Sequence, residues 1–295
     1  FDLRLVGYPL PGGPDPISYR EAVKHSRTPP AGRRFTIWHV RRNPEMRVAI
    51  WARDVLRLPI KIVFTSAAIR RHSAYPRWLI SRMDAVIATT ELAASFVPHV
   101  RAVVPHGVET ARFTPAPDRA AAWAATGYPG TWGVATIGRI RPEKGTDRFV
   151  EAMIDVLTKY PDATALVICR AAKSDETFLN HIKGKIAKSD LTDRFVFPGE
   201  IAADDLPEVT RALSLVVQLP RYEGYGMTPL EGMASGVPFV ATDQGYYRQF
   251  SAQGQGGVIT DAPADDIHAL LSAASRLSQM SVSARDIAEI HFSIA

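Results

Sequence analysis

The chain has 295 residues, 46% hydrophobic and 22% charged, with a formal net charge of +5. That mix excludes a disordered or fibrous chain, and the length suits two domains, since single cores stop growing near ~250–300 residues. A single cysteine excludes an intrachain disulfide framework, and the lack of a signal peptide or of an apolar run of ~18–20 residues predicts a cytoplasmic protein.

In chain order, RFTIWHV (34–40) and IKIVFTSA (60–67) read as strands flanking a helix over 43–58. DAVIATT (84–90) is a strand, ELAASFV (91–97) a helix and RAVVPHGV (101–108) a further strand. A proline- and glycine-rich stretch, 113–132, then reads as an interdomain connection. The alternation restarts with a strand at WGVATIGRI (132–140) and a helix over 145–160. Strand TALVICR, a helix over 175–190, strand RFVFPG, a helix over 204–214 and strand LVVQLP follow. After Arg221–Gly236 come strand PFVATD and a helix near 263–277. This βαβ rhythm predicts an α/β fold with two doubly wound parallel sheets. We expect a first domain over 1–114, truncated at its N terminus, a second over 115–282, and the start of a C-terminal helical segment over 283–295. Ligands of such sheets bind off the carboxyl ends of the strands, so a cleft between the two domains is the expected active site.

Arg221–Gly236, RYEGYGMTPLEGMASG, carries two acids, Glu223 and Glu231, around a glycine-rich turn. Thr228, Pro229 and Glu231 have the spacing of a capping box, T-x-x-E, which would give Glu231 a purely structural role. Capping does not account for Gly224 and Gly226. They permit a tight backbone whose N–H groups, ahead of a helix N-terminus, suit a phosphate or a sugar. IGRIRPEKGTDRF adds Arg139 and Lys144 at the end of another strand, where two cations would neutralise a diphosphate. The P-loop and dinucleotide fingerprints are absent. Neither a metal-ligand spacing among the eight histidines nor a D-x-D is present, so no metal site is expected. His39 and Trp38 read as core or rim of a strand, and Cys169 as a small buried hydrophobe.

Taken together, VVPHGVETARFTP, TIGRIRPEKGTDRFVEAM, RFVFPG, EGYGMTPLE and ATDQGYY resemble the family-4 retaining glycosyltransferases, over nearly all of residues 36–260. WHVRRNPEM, VFTSAAIRRHSAYPRWLISRMDAVIATTE and PHGV look more narrowly like the lipopolysaccharide-core mannosyltransferases. The resemblance implies two Rossmann-like domains in the GT-B arrangement, facing across a cleft. It also implies a GDP-mannose donor with no metal or other cofactor, and a Kdo-bearing lipid acceptor. By the same resemblance Arg139 and Lys144 hold the departing diphosphate, Glu223 the donor sugar and Glu231 the ribose. Gly138 belongs to the diphosphate loop. The backbone of Gly224, Tyr225, Gly226, Met227 and Thr228 addresses sugar and phosphate, and Phe197 and Pro198 lie against the base. Arg139, Lys144 and Glu223 are the expected catalytic residues.

The family's acceptor-side histidine has no counterpart in VFTSAAIRRHS, where Thr65 and Ser66 stand near its place and His72 follows several residues on. Ser66, Arg70, Arg71 and His72 are the candidate acceptor residues. Up to residue 110 the chain carries 17 Lys and Arg against 8 Asp and Glu. Such an excess suits an anionic glycolipid and peripheral contact with the cytoplasmic face of a membrane, and no nucleic-acid motif accompanies it. A nucleotide-sugar epimerase of the same architecture and a non-catalytic nucleotide-sugar-binding module are the alternatives.

Overall fold

The computed structural model describes residues 2–10 and 13–294, in two units that meet in sequence between Pro105 and His106. The first opens with a short parallel pair, β1 (Leu5–Val6) and β2 (Pro16–Ile17), and helix α1 (Tyr19–His25). Ser18 caps α1 through a reciprocal box with Glu21. Next come β3 (Thr36–Val40), α2 (Asn43–Asp54), β4 (Ile60–Ser66), α3 (Ala74–Ser81), β5 (Ala85–Ala88), α4 (Glu91–Ala94) and β6 (Val100–Val103). The last four strands form a parallel sheet in the order β3-β4-β5-β6. Its core joins Ile60, Ile62 and Phe64 of β4 to Met46, Ala49 and Ala52 of α2 and Leu79 and Ile80 of α3. The period-2 set on the strand and the 3–4 spacing on the helices put these residues on facing surfaces.

The second unit contains α5 (Arg119–Ala125), β7 (Trp132–Ile137), α6 (Thr146–Lys159), β8 (Ala163–Ile168), α7 (Glu176–Ala187), β9 (Phe195–Gly199) and α8 (Leu206–Ala212). It continues with β10 (Leu215–Gln218), α9 (Met227–Ala234), β11 (Phe239–Ala241), α10 (Tyr247–Ser251), β12 (Gly257–Ile259), α11 (Pro263–Leu271) and α12 (Ala274–Phe292). Strand β8 is buried at all six positions, as a central strand covered on both faces must be. Helix α6 supplies Phe149, Val150, Met153, Val156 and Leu157 to one side of the sheet. The strand order β12-β11-β10-β7-β8-β9 reverses direction between β7 and β10. That junction is the topological switch point, where doubly wound sheets bind ligands.

Two segments differ from the sequence expectation. The stretch read as a connection holds α5, begun by the Asp118 carboxylate accepting from the Ala121 amide at 3.0 Å and anchored by the fully buried Trp123. Residues 106–114, which the reading assigned to the first domain, pack within the second unit. There the Val108 amide donates to the Phe292 carbonyl at 2.7 Å, and Arg285 of α12 reaches the Phe113 carbonyl at 2.7 Å. Helix α12 thus holds this stretch by a backbone bond and an arginine side chain that hydrophobic periodicity does not reveal.

Candidate active site

The loop after β7 enters α6 through one 3₁₀ turn, Pro142–Lys144, that ends at Gly145 with φ +70°. A β-carbon there would lie 1.8 Å from the Leu219 carbonyl oxygen, so only glycine lets this loop meet the end of β10. The contact aligns the two loops of the switch point. Arg221 donates to both carboxylate oxygens of Asp147 at 2.8 and 2.6 Å and to the Pro142 carbonyl at 2.6 Å. Burial works against ionisation of Asp147, but the Arg221 bonds outweigh it and hold the carboxyl below its ordinary range. Lys144 Nζ then lies 2.5 Å from Glu223 Oε2, both side chains mostly shielded. Arg139, on the same loop, is exposed and has no ion pair among the described residues. The sequence pointed to Lys144, Arg139 and Glu223. It gave no reason to single out Asp147 and Arg221, whose pairing requires the register of β7 against β10.

Glu223 also accepts from the Gly224 amide at 3.0 Å. The chain then turns at Gly226, φ +90°, where a β-carbon would fall 2.1 Å from the Tyr247 ring. Gly226 itself caps α9. The predicted capping box is therefore absent: the left-handed glycine starts the helix before Thr228. Thr228 lies inside the first turn, its hydroxyl donating to the Ile137 carbonyl at 3.3 Å. Glu231 is a partly buried mid-helix carboxylate whose acidity burial weakens, against the attraction of Arg112. It accepts no hydrogen bond among the described residues. The amides of Tyr225, Gly226, Met227 and Thr228 likewise donate to no protein acceptor there. The Tyr225 side chain is an anchor rather than a contact surface: its hydroxyl donates to the His106 carbonyl at 2.6 Å, and its ring stacks on Tyr246 with centroids 5.1 Å apart. Only the backbone of the loop is offered outward.

Two strands from β7 along the same edge, Phe197 and Pro198 of β9 are half-buried, with Lys183 Nζ 5.4 Å from the Phe197 ring centre. Cys169, expected as a buried hydrophobe, is instead partly exposed at φ +126°. Its amide donates to the Gly199 carbonyl at 2.8 Å, so this cysteine turns the end of β8 in a backbone conformation that favours glycine.

In the first unit His39 Nε2 and Thr65 Oγ1, from adjacent strands, are 2.7 Å apart. Burial, aided by Arg41 and opposed by Glu45, lowers the basicity of His39. Ser66 and Thr89 are buried, and their hydroxyls, like His72 Nε2, have no hydrogen-bond partner among the described residues. The Thr89 amide donates to the Ser66 carbonyl at 3.0 Å, which brings the two hydroxyl-bearing residues to one strand end. Burial and then Arg70 lower the basicity of His72. Arg70 and Arg71 lie exposed on the loop between Ser66 and His72. The sequence reading set His39 aside because position on a strand says nothing of a neighbour 26 residues on.

The strand order, the glycine-built turn and the cations at the switch point together define a doubly wound domain of the kind that binds nucleotides. The family Glycosyl transferases group 1 matches residues 128–289. LpsB of Rhizobium meliloti, named a lipopolysaccharide core biosynthesis mannosyltransferase, is 41% identical over 274 residues, 92% of this chain and 77% of its own. LpcC of Rhizobium leguminosarum bv. viciae, of the same description, is 42% identical over 260 residues, 88% of this chain and 73% of its own. Among solved structures, the C-terminal domain of the group 1 glycosyl transferase LpcC from Francisella tularensis is 33% identical. It superposes with a TM-score of 0.62 over 64% of this chain and all of that one. HepE from Anabaena, in complex with UDP and glucose, reaches a TM-score of 0.79 at 18% identity over 93% of this chain and 77% of its own, a likeness of fold. The chain belongs to the group 1 glycosyl transferases. It is a glycosyltransferase with the two Rossmann-like units of the GT-B fold.

Proposed function

We propose that this enzyme transfers mannose from GDP-mannose, with retention of anomeric configuration, to a Kdo sugar of a lipopolysaccharide inner core. The observation that carries the reading is the 41% identity to LpsB over 92% of the chain. The geometry at the switch point supports the donor half. An ammonium has three donors, so Lys144 can hold Glu223 with one and take donor phosphate oxygens with the others. Arg139 adds a second cation, and each charge-assisted bond contributes roughly 1.5–3 kcal/mol. The unsatisfied amides of 225–228 offer further donors to phosphate and sugar. Glu223 addresses the sugar hydroxyls, Glu231 those of the ribose, and Phe197 and Pro198 the base. Because cations of the chain meet the diphosphate, transfer needs no divalent metal. EDTA should leave the rate unchanged, and a loss restored by magnesium or manganese would overturn this.

The acceptor half rests on the first unit, with Arg70 and Arg71 for carboxylates or phosphates and Ser66 and His72 for hydroxyls. To these we add His39, which through Thr65 positions the same strand end. Incubation with labelled GDP-mannose and a panel of acceptors tests the whole reading. Mannosylation of a Kdo-bearing acceptor is expected. Transfer only from another nucleotide sugar would overturn the donor, acceptor-independent release of a free or epimerised sugar would point to an epimerase, and binding without turnover to a binding module.

A further inference from the structure

Strand β8 ends between the loop that carries Arg139 and Lys144 and the segment Phe197–Gly199. Neither the diphosphate nor the base has yet a use for the side chain that it presents there, Arg170. On one flank the Gly138 amide donates to the Ile168 carbonyl at 3.0 Å and the Ile140 amide to the Arg170 carbonyl at 3.2 Å. On the other the Cys169 amide donates to the Gly199 carbonyl at 2.8 Å. Arg170 is therefore rooted from both sides. Its root is also strained, because Cys169 holds φ +126°, a region that side chains disfavour. Such conformations persist only where the surroundings over-determine them, and they gather at ligand clamps.

The Arg170 side chain reaches over the end of β9. Gly199 has φ +83°, and a β-carbon there would meet within 4 Å one heavy atom of the described residues, Arg170 Nε at 3.9 Å. The glycine thus leaves an open shelf beside Pro198, bordered by a guanidinium. That guanidinium is exposed and joins no ion pair or hydrogen bond among the described residues. A planar fork of N–H donors beside a shelf suits a flat ring with two adjacent acceptors on one edge. Guanine has such a pair, O6 and N7. Adenine sets an amino donor beside its N7, and a thymine-type pyrimidine offers O4 alone.

We propose that Arg170 selects the donor nucleotide by pairing its guanidinium with O6 and N7 of a guanine laid on the Pro198–Gly199 backbone. The proposal rests on the reading of the donor as a guanosine diphosphate sugar whose base meets Phe197 and Pro198. It gives the choice of base to a side chain of β8, separate from the cations that meet the diphosphate.

Calorimetry of the full chain with GDP, UDP and 7-deaza-GDP, in which a C–H replaces N7, tests it. The parent should bind GDP about tenfold or more tightly than either analogue. In Arg170→Met the GDP affinity should fall by about tenfold or more, UDP affinity should change by less than about twofold, and the preference for GDP over 7-deaza-GDP should vanish. Arg170→Lys, which keeps the charge but not the fork, should lose that preference too. Equal losses for all three nucleotides in Arg170→Met would mark a cation on the phosphates or a guanidinium stacked on the base, and would overturn the proposal. So would either variant keeping the preference of a parent that favours GDP over UDP, and the guanine donor would then stand without Arg170. A parent that binds UDP as tightly as GDP would refute the guanine donor and the proposal together.

Discussion

At the carboxyl edge of the second sheet, Lys144 closes on Glu223 and Arg221 on Asp147, and two glycines let backbone loops touch where any side chain would collide. At the same edge of the first sheet, the Ser66 and Thr89 hydroxyls and His72 Nε2 are buried with no partner among the described residues. An unsatisfied buried polar group costs about 1–3 kcal/mol. The second edge is thus a fixed frame whose outward donors are already aimed, the condition under which hydrogen bonds stabilise a developing charge most. The first edge is incompletely satisfied, as expected of a surface whose partners come from a ligand. On the function proposed above, the paired frame would serve the donor and the unsatisfied hydroxyls of the first edge the acceptor, although Arg141 Nε at the second edge is likewise buried without a partner among the described residues.

That contrast can be broken most sharply at Lys144. Lys144→Ala leaves the shielded Glu223 carboxylate unpaired and, on the proposed function, takes a cation from the diphosphate, so kcat should fall by about 100-fold or more. Steady-state kinetics with the folded variant decides this. Turnover and donor affinity near the parent values would show the frame to be structural only.

Glu231 sharpens the same point from the other side. With no capping box to lose and a carboxylate whose ionisation burial opposes, Glu231→Gln should leave the melting temperature unchanged or slightly raised. Its affinity for free GDP, measured by calorimetry, should drop about tenfold, or 1.4 kcal/mol. A variant destabilised by about 1 kcal/mol with unchanged nucleotide affinity would return this acid to a capping role.

The smallest effect belongs to the first edge. Burial keeps the folded-state pKa of His39 below its unfolded value, and that of His72 likewise. Between the two values the unfolded chain binds more protons, so stability is full above about pH 6.5 and is lost as pH falls toward the folded-state pKa. His39→Gln should flatten the fall of melting temperature between about pH 7 and pH 5. A slope identical to the parent's would remove His39 as a source of that pH dependence.

The α/β architecture, both sheets and the presence of cations and acids on the two switch-point loops were legible because hydrophobic period and glycine placement are local signals. Three features were not. The start of α9 depended on Gly226 meeting the Tyr247 ring, a contact between residues 21 apart that made a well-formed T-x-x-E pattern irrelevant. The position of residues 106–114 depended on α12, nearly two hundred residues on. His39 and Thr65 share a hydrogen bond only because β3 and β4 align, and a strand's own sequence does not encode its neighbour's register. Local chemistry named charged groups at the switch-point edge, and long-range packing decided which of them are paired.

Hydrogen exchange of the whole chain with and without saturating GDP-mannose tests the central claim most directly. Peptides covering 223–231 should gain protection, because the amides of 225–228 that donate to no protein acceptor acquire phosphate and sugar acceptors, and those over 138–145 should gain it as Arg139 and Lys144 are ordered on the diphosphate, while peptides over 66–73 stay unchanged. Saturation proved by calorimetry with protection confined to residues 66–73, or with no gain over 223–231, would contradict it.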